Sequence, residues 1–158
     1  MTQAVIDFAS SLPPYVKYVV LTLVPWVELR GAIGLAVQQG ERLYLPLILI
    51  TNGLIFFPTF FILERVYEHI PEGSWLHRKL ESVRKKAHPL VEKYGVLGLA
   101  VFVAIPLPGT GAYSGSVAAW MLDMDWRKSF LAVGLGVLGA FFIMWGFYEA
   151  VAAGVSFF

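Results

Sequence analysis

The chain has 158 residues, of which 58% are hydrophobic and 15% are charged, with a mean hydropathy of +0.68. Soluble domains are nearer half apolar and a quarter charged, so this composition predicts an integral membrane protein with a single membrane domain, residues 1–158. The chain has no cysteine, which excludes disulfides and thiolate metal sites. The net charge of +1 does not point to nucleic acid, and no nucleic-acid partner is expected.

Four apolar stretches follow one another along the chain, at residues 15–37, 43–66, 95–122 and 129–158. The second and fourth carry no charge until near their ends and are long enough to be complete transmembrane helices. The first is broken at Pro25 and the third at residues 105–111, where prolines remove amide donors. Such breaks are tolerated in a membrane only where they are buried or line a cavity.

The two breaks lie at equivalent positions of an internal repeat. Pro25 and Pro106 are 81 positions apart, and many flanking residues match at the same offset without a gap, including Gly34 with Gly115. A pair of interrupted apolar segments at corresponding positions is typical of the binding site of a secondary transporter. The pattern therefore indicates a duplicated transporter unit.

Two architectures are compatible with this repeat. If the broken stretches are re-entrant hairpins, each repeat crosses the membrane once and the second repeat is inverted; if they are kinked full spans, the repeats are parallel. We favour the first. The predicted fold is an all-α integral membrane protein with two inverted repeats, each a re-entrant helical hairpin plus a transmembrane helix. Repeat one covers about residues 13–70 and repeat two about 95–151.

The connector between the repeats, about residues 71–94, is the polar part of the chain and contains a predicted amphipathic helix. Apolar residues recur at spacings of three and four from Leu76 to Tyr94, with Ser74 as a candidate N-cap. Pro89 is expected to break this helix near its end. The basic polar face indicates a cytoplasmic, interfacial position, which places both termini outside in the hairpin arrangement.

Glu28 and Arg30 are the strongest candidate site residues, because charges within a membrane span are costly and usually functional. Residues two apart do not face each other on a regular helix. A direct interaction between them therefore requires that the backbone leave helical geometry after Pro25. The alternative is a charge pair at a hairpin turn near the interface that satisfies backbone ends.

The second break offers amides, hydroxyls and a phenol instead of charges. A half-helix that begins near Tyr113 would direct its positive end at the break and favour an anion such as a phosphate or a carboxylate. The alternative is a tight helix crossing through small residues. Asn52, in the second stretch, is a further candidate hydrogen-bonding group. The predicted substrate-binding residues of this break are Pro106, Pro108, Gly109, Thr110, Gly111, Tyr113 and Ser114.

Enzymatic chemistry is not expected. The three histidines lie between Glu64 and Lys93, the polar segment that includes the connector, and no base accompanies Ser114 as a nucleophile would require. The second break has no Gly-Lys-Ser/Thr sequence, which argues against a P-loop and ATP-driven transport. No cofactor and no metal site are predicted.

The segments 25–34 and 102–115 resemble the small multidrug export proteins of bacteria and archaea, over nearly the whole chain. In plan the chain is also similar to the DedA superfamily, whose Pro-x-Pro-Gly turn matches residues 106–109. That resemblance implies two facing re-entrant hairpins with essential acidic and arginine residues, and an activity that flips the undecaprenyl-phosphate carrier or scrambles phospholipids. Here both charges lie in the first half, and the second break has none.

We therefore expect a secondary transporter, ion- or proton-coupled through Glu28, in the cytoplasmic (inner) membrane of a bacterium or archaeon. Its substrate would be amphiphilic, such as a polyprenyl-phosphate or a phospholipid head group held by Arg30 and the amides of the second break. One alternative is export of lipophilic cationic drugs; another is a non-transport membrane scaffold. Membrane lipids are the expected partners. A homodimer through exposed small residues is a further prediction, and those residues are Gly134, Gly136, Gly139 and Ala140.

Overall fold

The computed structural model describes residues 11–107 and 109–154, and the secondary structure in these ranges is helical, as predicted. Single-turn 3₁₀ helices lie at Arg42–Tyr44 and Tyr67–His69. The α-helices are α1 Pro14–Leu23, α2 Glu28–Gln38, α3 Leu45–Leu54, α4 Phe56–Val66, α5 Trp75–Tyr94, α6 Val96–Ala104, α7 Ala112–Met121 and α8 Trp126–Ala152.

The chain divides into two compact units. The first unit holds the chain up to Asn52 and from Gly139 onward, and therefore contains α1, α2, most of α3 and the end of α8. The second unit is Gly53–Leu138 and contains α4 to α7 with the beginning of α8. The division by repeats, which the sequence predicts, is a different one and stays a prediction.

In the first unit, α1 and α2 form an antiparallel helical hairpin. The buried Lys17, near the start of α1, donates to Gln39 Oε1 at 2.7 Å, just beyond the end of α2. Lys17 also forms an ion pair with Glu41, whose carboxylate accepts the hydroxyl of the buried Tyr18 at 2.5 Å. These contacts fasten the open end of the hairpin, so the chain returns to the level from which it entered.

This polar fastening of the first hairpin has an expected pH dependence. The hydrogen bond from Lys17 and that from the Tyr18 hydroxyl lower the pKa of Glu41. A carboxylate with a lowered pKa stabilises the folded state above the pKa of the unfolded chain, about 4.3, and this stabilisation is lost as the pH falls through the folded pKa. We expect the denaturant midpoint of unfolding, measured in detergent, to decrease as the pH is lowered below about 4.3. In Glu41→Gln this decrease should be less steep. Equal slopes in both proteins would contradict this role.

In the second unit, the connector forms the amphipathic helix α5. Ser74 is its N-cap, as predicted, because the Ser74 hydroxyl accepts the amide of His77 at 3.1 Å. The predicted break at Pro89 is wrong, since α5 continues through this residue to Tyr94. Pro89 removes the amide that would bond the Lys85 carbonyl, but Lys85 and Pro89 are exposed, so the surroundings outside the helix can satisfy that carbonyl.

Helices α6 and α7 form a second hairpin, and α6 runs back along α5 after a tight turn at Gly95. Gly98 lies so close to α5 that a Cβ atom there would stand 1.9 Å from the Leu90 carbonyl oxygen. Within the hairpin, a Cβ at Gly115 of α7 would meet Val103 of α6 at 2.3 Å. The tight crossing through small residues, which the sequence left as an alternative at this break, is present at Gly115.

Gly98 gives a sharp stability test, because backbone and not a flexible side chain occupies the space of its Cβ. We expect Gly98→Ala to destabilise the protein by about 2 kcal/mol or more, at the high end of overpacking. Gly134→Ala is the matched control. Gly134 also lies in a helix, but nothing lies within 4 Å of its Cβ position. There the better helix propensity of Ala is expected to stabilise by about 0.5–1 kcal/mol. Denaturant midpoints in one detergent measure both; a shift of the same sign would contradict the packing argument.

Two segments, Arg42–His69 and Trp126–Ala152, are helical, long and apolar enough to cross a membrane. Only 33% of the most apolar window of each is buried, which differs from the core helix of a soluble protein. The first segment is interrupted at Ile55, because Pro58 cannot bond the Leu54 carbonyl. In the second unit, Phe57 contacts Phe130 with ring centroids 4.8 Å apart and Phe61 contacts Trp126 at 6.2 Å, so the two helices run antiparallel there.

The same order of elements occurs at the offset of the sequence repeat. The helices α3 and α8 begin at Leu45 and Trp126, which are 81 positions apart, and a short-armed hairpin precedes each. Two of the four residues predicted to form a homodimer surface are not exposed. Gly136 is buried against Val103 and the Ala100 carbonyl, and Ala140 is also buried, so these two residues pack within the chain. The homodimer itself stays a prediction.

Candidate functional site

The tip of the first hairpin is a tight turn at Pro25. Val24, the residue before this proline, is extended at φ −78° and ψ 117°, as expected before a proline, and this ends α1. The chain then turns within residues 24–27, and the Glu28 amide donates to the Val24 carbonyl at 2.9 Å. Glu28 itself has φ 45°, a left-handed backbone conformation that is rare for residues other than glycine.

This backbone departure lets the two candidate charges interact. Glu28 is buried, with 8% of its surface exposed, and Arg30 is half-buried. The two residues carry opposite charges and lie two positions apart at the start of α2. The backbone thus leaves regular helical geometry at Glu28, as a direct interaction with Arg30 requires, and the interaction itself stays a prediction. The first tip carries a buried carboxylate beside a more accessible cation.

Tyr148 of α8 packs against the helix that carries Arg30. A Cβ atom at Gly34 would stand 2.6 Å from the Tyr148 ring and 2.9 Å from its hydroxyl oxygen, so only glycine allows this approach. Gly34 follows Arg30 by four residues, which places both on one face of α2. The first tip thus has an aromatic neighbour one helical turn from its cation.

The tip of the second hairpin is longer. Ile105 is extended at φ −65° and ψ 123° before Pro106, and this ends α6 as Val24 ends α1. Gly109 at φ 81° and Gly111 at φ 141° adopt conformations that favour glycine. Helix α7 begins at Ala112, close to the predicted start, and no side chain caps it. Its first amides therefore face the turn, as the anion-site hypothesis requires.

Thr110 has a structural role in this turn. Its hydroxyl lies 2.6 Å from the Ile105 carbonyl and 2.8 Å from the Leu107 carbonyl, so its proton is shared inside the turn and is not directed outward. Pro106 and Gly109 are exposed, Gly111 is buried, and Tyr113 and Ser114 are half-buried. Pro108 lies outside the described residues. Substrate binding by this set stays a prediction, with Thr110 placed as a turn-forming residue.

A cation from the connector lies at the second tip. The Lys86 ammonium of α5 stands 3.7 Å from the position of a Cβ at Gly109. The sequence places no charge within this break; the fold adds one from a neighbouring helix. Both tips therefore combine a proline-ended helix with a basic side chain.

Asn52 is a predicted site residue with an unusual environment. It is 2% exposed, and its Nδ2 atom has no hydrogen-bond partner among the described residues. A buried unsatisfied donor costs about 1–3 kcal/mol. Asn52 therefore stays a candidate hydrogen-bonding residue of the site.

A second polar cluster lies in the first unit, at the beginning of one apolar segment and the end of the other. Arg42 binds Glu149 with two hydrogen bonds, from Nε at 2.6 Å and from Nη2 at 2.8 Å, and the Trp145 indole donates to the same carboxylate at 2.9 Å. Glu149 is thus engaged as an ion-pair partner of Arg42.

The family comparison joins these observations. The family described as "Putative small multi-drug export protein" matches residues 28–143, which is more than half of the chain and begins at Glu28. The chain belongs to this family. It is a membrane protein of an export family, with two apolar helices able to span the bilayer. No curated relative and no solved structure matches the chain.

Sequence reasoning missed three residues that contribute to the two hairpins. Lys17 could have been found, because it is a lysine inside an otherwise apolar stretch. Lys86 is one of several connector lysines and carries no distinguishing signal. The contact of Tyr148 with Gly34 depends on the tertiary fold and has no local sequence signal.

Proposed function

We propose that this protein is a secondary transporter whose two helical hairpins are re-entrant and hold an amphiphilic substrate by its head group. The carrying observation is the short hairpin α1–α2, closed at its base by Lys17 and Glu41. Its arms of 10 and 11 residues rise about 15 Å, half of a 30 Å hydrocarbon core. A hairpin of this depth places Glu28 and Arg30 near the bilayer centre.

The ion pair between Arg42 and Glu149 supports the inverted arrangement. Arg42 begins the first apolar segment and Glu149 lies near the end of the second. If the two segments crossed in the same direction, these residues would be separated by about 30 Å of hydrocarbon. Their contact favours opposite directions, which follow when each preceding hairpin returns to its own side of the membrane.

Each tip carries chemistry that suits an anionic head group. Arg30 presents a guanidinium that binds a phosphate or carboxylate with two parallel hydrogen bonds. The amides at the start of α7 favour negative charge. In this proposal Glu28 carries the coupling proton, because a buried carboxylate beside a cation changes its charge with that cation's occupancy. The substrate class is a polyprenyl-phosphate or a phospholipid.

Export of lipophilic cations is a second candidate, favoured by the family description. In that mechanism the buried carboxylate of Glu28 binds the cation and exchanges it for a proton, while Arg30 balances the carboxylate when the site is empty. The two candidates differ in which of the two charges contacts the substrate. They therefore make opposite predictions for single substitutions.

Proteoliposomes provide the test. We expect the wild-type protein to move a fluorescent phosphatidic acid between leaflets in response to a pH gradient, and Arg30→Gln to abolish this movement. Ethidium accumulation, measured on the same vesicles, reports cation export. If ethidium moves and is lost in Glu28→Gln but kept in Arg30→Gln, the cation mechanism replaces the lipid mechanism. If neither probe moves, transport of these classes is excluded.

A further inference from the structure

Lys86 is positioned for a role at the second tip that none of its neighbouring lysines shares. Its ammonium lies at Gly109, whereas the side chain of Lys85, one residue earlier, begins about 100° around the helix and does not come within 4 Å of the same position. Among the described residues, Lys86 makes no ion pair, while Arg84 pairs with Glu81 and His88 with Glu92. No acidic side chain in residues 11–107 and 109–154 thus forms an ion pair with the charge at the tip.

The surface around this lysine has to be hydrated. Arg78, Lys85 and Lys86 are all exposed and line one depression of about 430 Å³ together with Glu81 and Ser82. Exposed charges are not stable against hydrocarbon and occur where a protein meets water or head groups. Because Lys86 reaches Gly109, the same polar region extends to the second tip, where Leu107 is 56% exposed.

We propose that Lys86 and the exposed turn at Gly109 form a hydrated entrance for a phosphate group, at which the substrate first binds. The entrance rests on the proposed function, since it names the point where that substrate arrives. Lysine has a long, flexible side chain that ends in a compact ammonium group, which suits the capture of an arriving phosphate. The guanidinium of Arg30 is planar and presents its donors in a fixed geometry, which suits oriented binding. The phosphate could belong to a lipid head group or be free in solution, and these sources are separable by experiment.

Hydration is tested without transport, because the chain has no cysteine and a single introduced cysteine reports alone. Leu107→Cys in proteoliposomes is expected to react with a membrane-impermeant maleimide. Leu131→Cys is the matched control, since Leu131 is 62% exposed but lies within the apolar helix α8. We expect at least tenfold slower labelling at Leu131. Equal rates would overturn the hydrated entrance, whatever the transport assay shows.

Phosphate binding is tested by protection of the same cysteine. Vesicles of phosphatidylcholine with phosphatidic acid are compared with phosphatidylcholine alone, and inorganic phosphate is added in a third arm. If phosphatidic acid slows labelling and inorganic phosphate does not, the ligand is a lipid head group. If inorganic phosphate slows labelling as well, free phosphate also binds. Both outcomes support the entrance. Labelling that neither compound slows overturns it.

Lys86→Ala, introduced with Leu107→Cys, is expected to weaken this protection about fivefold, the effect of one lysine near an anionic surface. Lys85→Ala removes the same charge from the adjacent position and is expected to leave protection within twofold. Lys86→Arg should restore it. An equal loss in the Lys85 and Lys86 variants would indicate general surface charge and overturn the assignment to Lys86.

Discussion

Replacement of Arg30 by Ala is expected to lower the rate of phosphatidic acid movement by at least about 30-fold. The guanidinium is half-buried beside the buried Glu28, so its removal leaves a substrate phosphate without its partner. Truncation of one member of such a charge pair costs about 2–5 kcal/mol, which corresponds to this factor or more. Initial rates in proteoliposomes under one fixed pH gradient are the measurement.

Controls separate this effect from loss of charge or loss of fold. Arg65→Ala removes an exposed arginine near the end of α4 and is expected to transport within twofold of the wild type. Arg30→Lys keeps the charge but loses the two parallel hydrogen bonds, so partial activity is expected. The unfolding midpoint of Arg30→Ala, measured in the same detergent, shows whether the variant is folded at the assay temperature. Unchanged lipid movement in a folded Arg30→Ala protein would remove the lipid mechanism.

The positions of the two breaks were predictable from sequence because their causes are local. A proline restricts the residue before it to extended conformations, and Val24 and Ile105 both end their helices in this way. The amphipathic helix and its Ser74 cap follow from spacing and from a short-range hydrogen bond in the same manner. Glycine conformations at Gly109 and Gly111 are likewise a property of the turn itself.

The charges at the base of the first hairpin and at the second tip were less predictable because they come from residues distant in sequence. Lys86 reaches Gly109 only because α6 packs tightly on α5 at Gly98, a contact that no periodicity encodes. Lys17 and Glu41 meet only because the chain reverses at Pro25. Pro89 misled the prediction because an exposed helix tolerates a proline whose lost hydrogen bond is made good from outside the helix. Sequence therefore located the breaks, and packing determined which charges reach them.

The backbone of Glu28 leads to a prediction that separates stability from activity. Two variants of this residue should differ in stability although both lose transport. A left-handed conformation costs a residue with a Cβ atom about 1–2 kcal/mol and costs glycine little. Glu28 has φ 45°. We expect Glu28→Gly to have a free energy of unfolding about 1 kcal/mol higher than Glu28→Gln. Both variants lack the carboxylate, so both are expected to lose movement driven by a pH gradient.

The comparison with Gln is essential, because Gln keeps the Cβ atom and the side-chain length while it removes the charge. The difference between Gln and Gly then reports backbone strain, and the difference between Glu and Gln reports the interaction with Arg30. Denaturant unfolding in one detergent gives all three values. A Glu28→Gly protein less stable than Glu28→Gln would exclude strain, and one that retained gradient-driven transport would remove Glu28 as the proton carrier.

A strained residue persists where the surrounding structure and the function both hold it. For Glu28 the turn at Pro25 provides the structural constraint, and the proposed proton coupling accounts for a carboxylate where glycine would fit with less strain.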